Sequence, residues 1–348
     1  GARRGSSAPP RGLACAAAHP HFDHHSPLPL PARALSAARA SSGIAMTSPM
    51  PHAPDQLSRF LLPDAGVRGV VVSLDQAWRD LTAHADNPPA VAELLGEAGA
   101  AAALFTAHAK VEGRLSVQLR SASALRTLFA ECTAAGTLRG IAQLDESQPA
   151  PTRDLAALGP DAVLAITIEN PARGSQDPLR YQGLVGLDAG TLAEAFEGYF
   201  RQSEQLPTRL LLACDGRRAA GLMLQKLPGD AGDDDGWNRV GMLFDTLREP
   251  ELLELSAADV VRRLFHEESP AWLGDKPLRF ACSCSRDRVA AMLVSLGRGE
   301  ADAAVEAGGG EAQVRCEFCG QQYRFDAAAI AELFHDAARE MPAAAGLQ

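Results

Sequence analysis

At 348 residues the chain is long enough for two domains and an accessory region, and with 46% apolar residues it can bury a substantial core. Its 33 basic against 43 acidic residues leave a formal charge of −10, which argues against a nucleic-acid partner, because such binding needs clustered Lys and Arg. It has no uninterrupted run of about 18 apolar residues, so no membrane span is expected.

The first 45 residues are rich in Ala, Pro, Ser and Arg, with Arg3, Arg4, Arg11, Arg33 and Arg39 against the single acid Asp23. They read as part of a disordered leader covering 1–56, with Met46 as a candidate start. A transit peptide is the alternative, since such peptides are Arg- and Ser-rich and acid-poor. His19, His21, His24 and His25 form a short tract that is only a compositional cue for weak metal binding.

The folded body is expected over 57–228. Val67 to Leu74 is rich in β-branched residues and reads as a strand. Asp75 to Ala85 starts a helix, Pro88-Pro89 punctuates, and Val91 to Leu104 is Ala/Leu-rich and helical. Gly113 to Leu119 alternates with period two, as a half-buried strand does. Ala124 to Ala134 is expected to be a helix, with Cys132 a small core residue. Thr137 to Leu144, Ala162 to Glu169 and Leu184 to Leu187 read as strands. Thr191 to Gln205 reads as one helix, apolar at Leu192, Ala195, Phe196, Tyr199 and Phe200 and stopped by Pro207. Arg209 to Cys214 and Ala219 to Leu227 flank Asp215-Gly216 as a hairpin, with Cys214 a packing residue. Helices mixed with mostly antiparallel strands make this an α+β domain.

Pro228 to Gly236 is the clearest boundary. Beyond it a linker over 229–278 is expected to be helical, with amphipathic helices at Trp237 to Leu247 and Ser256 to Glu268. Ser256 and Asp259 form a capping box. From Asp230 to Lys276 there are 12 acidic and 5 basic residues. A stable arm packed on the body and a metastable linker held down by its neighbours fit these residues equally well.

Residues 279–340 read as a small C-terminal module, followed by a tail over 341–348. The module holds Cys282-Ser-Cys284, then 31 residues, then Cys316-Glu-Phe-Cys319-Gly320. Two tight pairs supply four thiolates, enough to close one tetrahedral Zn2+ shell, and Gly320 permits the turn such a knuckle needs. Structural disulfides are disfavoured by the absence of an apolar signal segment and by an odd cysteine count that leaves Cys15, Cys132 and Cys214 unpaired. Arg288 to Leu296 is a short amphipathic helix. An Ala/Gly/Glu-rich connection then runs through Gly308 to Gly310. Gln321 to Phe325 looks like a strand, and Asp326 caps a helix over Ala327 to His335. So few large apolar residues bury little core, and the module should unfold without metal. The same thiolates are oxidisable, so an oxidant would form disulfides and release zinc.

The run from Arg279 to Asp326, RFACSCSRDRV…VRCEFCGQQYRFD, resembles the Hsp33 family of redox-regulated chaperones. Further matching blocks are Glu197 to Arg209 and Arg262 to Glu268, with weaker ones at Arg68 to Val72 and Tyr181 to Val185. They fall in family order over about 57–337 and leave out the leader. The resemblance implies an ATP-independent holdase, not an enzyme, inactive when reduced and zinc-bound. Oxidation of Cys282, Cys284, Cys316 and Cys319 would release zinc, unfold module and linker, and let the protein hold unfolded clients under oxidative stress. It further implies a cytoplasmic protein that is a homodimer when active. The chain has no GxxxxGK[ST] phosphate loop, consistent with ATP independence. Three rivals stay open: a thiol–disulfide oxidoreductase using Cys316 and Cys319, a nucleic-acid-binding zinc ribbon, and a zinc-stapled adaptor without redox switching.

Overall fold

The computed structural model describes residues 55–340 apart from 110, 150, 173–178 and 230, with side chains as far as 337. The leader, including Cys15, the histidine tract and Met46, and the tail from 341 lie outside the described residues.

Strands β1 (Gln56–Leu62) and β2 (Val67–Leu74) open the body as an antiparallel pair. β2 is an apolar run because both of its faces are covered. Val70 and Val72 join one core cluster, Val67 and Val71 another. After α1 (Gln76–Thr82) comes α2 (Pro89–His108), which starts at a proline, where the missing N–H costs nothing. Among the described residues, α2 is the one helix long and apolar enough to cross a membrane. Its apolar stretch is interrupted by Glu93 and Glu97, so it has that overall hydropathy without an unbroken apolar run. Packing explains that composition, because the helix is buried nearly all round, with strands of two sheets against it.

Strands β3 (Arg114–Arg120), β4 (Leu125–Thr133), β5 (Thr137–Leu144), β6 (Val163–Asn170) and β7 (Leu179–Val185) pair antiparallel in the order β5-β4-β3-β6-β7. The expected helix over Ala124 to Ala134 is thus a strand. Leu128, Ala130 and Cys132 alternate inward, and β3 and β5 saturate the backbone on both sides. That pairing overrides the helical preference of Ala, Leu and Glu. The single helix expected over Thr191 to Gln205 is α3 (Leu192–Tyr199), followed by a π-helical turn at Phe200–Glu204 that ends with Gln205 left-handed at φ 55°. The hairpin β8 (Thr208–Cys214) and β9 (Ala219–Lys226) forms as expected around Asp215-Gly216.

The linker stretch carries α4 (Gly236–Phe244), α5 (Glu249–Glu254) and α6 (Ala257–Phe265), the last capped by Ser256, whose hydroxyl accepts from the Asp259 N–H at 3.1 Å. It then ends in a strand, β10 (Ala271–Pro277), which pairs with β1 and completes the sheet β10-β1-β2-β9-β8. The linker helices cover the outer face of this sheet. Val240, Phe244, Leu252, Val260, Val261, Leu264 and Phe265 pack on Phe60, Leu62, Val67, Val71, Leu222 and Leu224. Phe60 stacks on Phe265 at 6.0 Å and tilts against Trp272 at 6.0 Å, and it occupies the space a side chain at Gly69 would need. The two-residue strand β11 (Arg279–Phe280) adds in parallel to β5.

The C-terminal module is α7 (Arg286–Leu296), α8 (Arg298–Ala307), the hairpin β12 (Glu311–Arg315) with β13 (Gln322–Asp326), and α9 (Ala327–Glu340). The Ala/Gly/Glu-rich stretch expected as a connection is helical at α8, because Ala301 and Val305, one turn apart, both face the module's core. That core is Val289, Leu293, Ala301, Val305, Ala312, Phe325 and Ile330, with a single aromatic among them.

One buried carboxyl gives the body a pH signature. Glu97 on α2 is paired with Arg153, yet burial raises its pKa to about 7, the Arg153 charge only partly offsetting it. A carboxyl with a raised native pKa binds protons more tightly folded than unfolded. Its stabilising contribution is therefore present below the unfolded value near 4.5 and is lost as pH rises through about 7. Thermal unfolding between pH 5 and 8 should show stability falling with pH by on the order of 2–3 kcal/mol from this group. Glu97→Gln should flatten that slope, and an unaltered slope would reassign it.

Candidate functional site: a four-thiol centre

Two turns bring the cysteines together. Cys282 and Cys284 lie on the loop between β11 and the N-cap of α7, where the Ser285 hydroxyl accepts from the Arg288 N–H at 3.2 Å. Cys316 and Cys319 lie on the turn that closes β12 onto β13. There the Gly320 N–H donates to the Cys316 carbonyl at 2.8 Å, and the Cys316 N–H to the Gln321 carbonyl at 2.9 Å. Gly320 sits at φ 70°, the conformation expected of it from the knuckle reading.

The four Sγ atoms all lie within 4.8 Å of one another, with Cys282 3.6 Å from Cys316 and Cys284 3.4 Å from Cys319. A tetrahedron of sulfurs around zinc with about 2.3 Å bonds has edges of about 3.8 Å, so the donor set fits that ion. All four are free thiols of intermediate exposure.

The thiols are not equivalent. Burial works against ionisation of Cys284, but the Tyr323 hydroxyl, donating to its Sγ at 3.1 Å, and the neighbouring thiols bring its pKa down to about 7. Cys282 is pushed up to about 12 by burial and by the surrounding sulfurs, and Cys319 is also raised, burial again leading. Four sulfurs this close cannot all carry charge without a cation between them, which is what a divalent metal supplies. The two body cysteines behave differently. Burial raises Cys132 to about 11 and Cys214 to about 12, so both are inert packing residues, as expected.

The centre is docked on the body through residues that carry no signal in a motif search. His84 Nε2 meets the Glu317 carbonyl at 3.0 Å, and Arg315 donates to the His84 carbonyl at 3.0 Å. Gln143 donates to the Glu317 carboxylate at 2.9 Å and Arg139 to the Ser283 hydroxyl at 2.9 Å. Phe318, between the knuckle cysteines, meets Phe129 edge-on at 5.8 Å, with the Arg139 guanidinium 4.6 Å from its ring. An aromatic side chain at the tip of so short a turn was the one available hint. Tyr323 was visible only as part of a strand.

Fold and centre together define a class: an α+β body with a buried core helix, a helical linker laid over one sheet, and a small four-thiol module seated on the other. The Hsp33 protein family matches residues 55–326. The chain is 44% identical over 293 residues to the 33 kDa chaperonin of Ectopseudomonas mendocina, covering 83% of this chain and 98% of that protein. It is 42% identical over 293 residues to the 33 kDa chaperonin of Pseudomonas fluorescens, covering 83% and 96%. The crystal structure of the Thermotoga maritima 33 kDa chaperonin superposes with a TM-score of 0.67 at 20% identity, over 82% of this chain and 99% of that one, and shows the same fold. The chain belongs to the Hsp33 family, a family of chaperones.

Proposed function

We propose that this protein is a redox-regulated, ATP-independent holdase. The observation that carries the reading is four partly buried thiols within 4.8 Å in a module whose core is too small to fold it unaided. In this reading Cys282, Cys284, Cys316 and Cys319 hold one zinc ion, which, when bound, supplies a crosslink between the two halves of the module. Residues 57–228 are the chaperone body, 229–278 the linker and 279–340 the switch. Each disulfide formed takes two electrons from a thiol pair and passes them to the oxidant, a peroxide being reduced to water. Loss of four thiolates removes the crosslink, the module melts, and its grip on β5 through Arg139 and Gln143, and on the α1–α2 connection through His84, is lost.

The linker is poised to follow. Its helices bury an apolar face on β1, β2 and β9, while the stretch as a whole is acidic, with 12 acidic against 5 basic residues from Asp230 to Lys276. Once lifted, that sheet face and the helices themselves offer apolar surface to unfolded clients, and the acidic residues keep the complex soluble. Beside this, the reading takes the protein to be cytoplasmic, a homodimer when active, and without nucleic acid among its partners.

The test is light scattering from a chemically unfolded client without ATP. Reduced, zinc-loaded protein should leave aggregation unaltered, and peroxide-treated, warmed protein should suppress it. Equal behaviour of the two samples would leave only a zinc-stapled adaptor.

A further inference from the structure

At the end of α2, where the layer between the two sheets runs out, lies a cavity of about 550 Å3. Its walls come from β1 and β2 on one side, the β4–β5 turn on the other, and β10. Strand alternation explains what lines it. Leu57 and Val70 face the inner core, so Arg59 and Arg68 lie on that same side of the sheet, on adjacent strands, Arg68 half-buried and Arg59 exposed at the rim of the cleft. Lys276 of β10 joins them, with its ammonium on the Ala134 carbonyl. Among the described residues, three cations thus line a cleft in which Asp275 is the one lining carboxylate, in a protein of net charge −10.

The half-buried Arg68 is the unusual member. Its Nε donates to Gln225 Oε1 at 3.1 Å and its Nη2 to His108 Nε2 at 2.9 Å, both neutral acceptors. Among the described residues no carboxylate forms an ion pair with Arg59, Arg68 or Lys276. Burial lowers the pKa of Arg68, and burial together with the Arg68 charge lowers that of His108 to about 4. His108 is therefore neutral at pH 7. Because its Nε2 accepts from Arg68, its proton sits on Nδ1, which leaves a second donor. An inward-facing guanidinium without a counter-charge is costly to fold, and an anionic ligand would remove that cost.

We propose that this cleft binds a small phosphorylated molecule, held between Arg59 and Arg68 of the body and Lys276 of the strand leading to the four-thiol module. Forked guanidinium donors match the oxygens of a phosphate, three cations suit a multiply charged group, and the volume exceeds what one phosphate fills. The site also has a consequence for the switch. β10 is the segment through which the linker reaches the module, so a ligand spanning Arg59, Arg68 and Lys276 pins it to β1 and β2.

Calorimetric titration of the reduced full-length protein with inorganic phosphate, pyrophosphate and AMP at fixed ionic strength tests the site. Saturable binding is expected for pyrophosphate or AMP, AMP binding marking an ester ligand and binding of the inorganic ions alone a free phosphate. Arg68→Gln should weaken it by at least about tenfold, and Arg59→Ala and Lys276→Ala each severalfold. Arg217→Ala, an exposed arginine on the β8–β9 turn, should leave it unaltered. Arg59 is exposed, so its variant decides the matter if Arg68→Gln fails to fold. Absence of saturable binding, or equal affinity in the Arg59→Ala, Lys276→Ala double variant, would overturn the site. Binding should also slow amide exchange over 271–278, and unaltered exchange there would overturn the bridging role. Neither measurement uses oxidant or client, so their failure leaves the redox reading standing, and its failure leaves theirs.

Discussion

Replacing Cys316 with Ser is expected to strip the protein of zinc and melt residues 279–340 while the body stays folded. The module's buried core offers one aromatic and six small or medium side chains, with Tyr323 and Phe334 only partly buried against it, whereas structural zinc in such modules contributes on the order of 10–16 kcal/mol of apparent binding energy. Losing one sulfur of four removes much of that and opens the shell. Zinc affinity should fall by more than the roughly 10–100-fold that partners outside the ligand shell are worth. Tyr323→Phe provides the graded comparison. It deletes the hydroxyl that donates to Cys284 at 3.1 Å but no ligand, and should cost about tenfold in affinity with the module intact. Zinc content and amide exchange, measured on both variants, check the series. A zinc-loaded, protease-resistant module in Cys316→Ser would refute the four-thiolate assignment.

Phe265→Ala should make the reduced protein a partial holdase. Phe265 is fully buried at the end of α6 and stacks on Phe60. Truncating a buried Phe costs about 3–5 kcal/mol, and here the loss falls on the contact that holds the linker to β1 and β2. The four-thiol centre lies on the opposite sheet, so zinc content should be unaltered. Suppression of client aggregation without peroxide, with zinc still bound, is the expected outcome. Phe196→Ala is the control. Phe196 is equally buried, but between the sheets against Phe105 at 4.9 Å, so its loss should lower the melting temperature without activating the protein. Activation by both variants, or by neither, would separate linker release from client binding.

These two variants probe the two halves of the proposed switch, and the halves differ in how legible they were. Cys282, Cys284, Cys316, Cys319 and Gly320 were readable because metal-ligand chemistry is local: a CxC, a CxxC and a turn glycine need only a few consecutive residues to declare themselves. Helix caps are local too, and Ser256, Ser285 and Asp326 all act as caps, Ser256 and Asp326 as expected. The hairpin at Asp215-Gly216 followed from the same kind of short-range signal.

What failed was whatever depended on a distant partner. Ala124 to Ala134 has a helical composition and became β4 because β3 and β5 lie on either side of it. Ala271 to Pro277, exposed over most of its length, is a strand only because β1 has a free edge to pair. The apolar composition of α2 fits a membrane helix as well as a core helix, and two sheets decide between them. His84, Arg139 and Gln143 hold the module to the body over separations of more than 140 residues. By itself, then, the sequence determined the family, the four sulfurs and the chemistry they permit, since these rest on residues close together in the chain. Only the tertiary structure decided what that chemistry is coupled to: which sheet the thiols sit on, which sheet the linker covers, and where Arg59, Arg68 and Lys276 meet. Such contacts join segments whose own residues carry no trace of the partner.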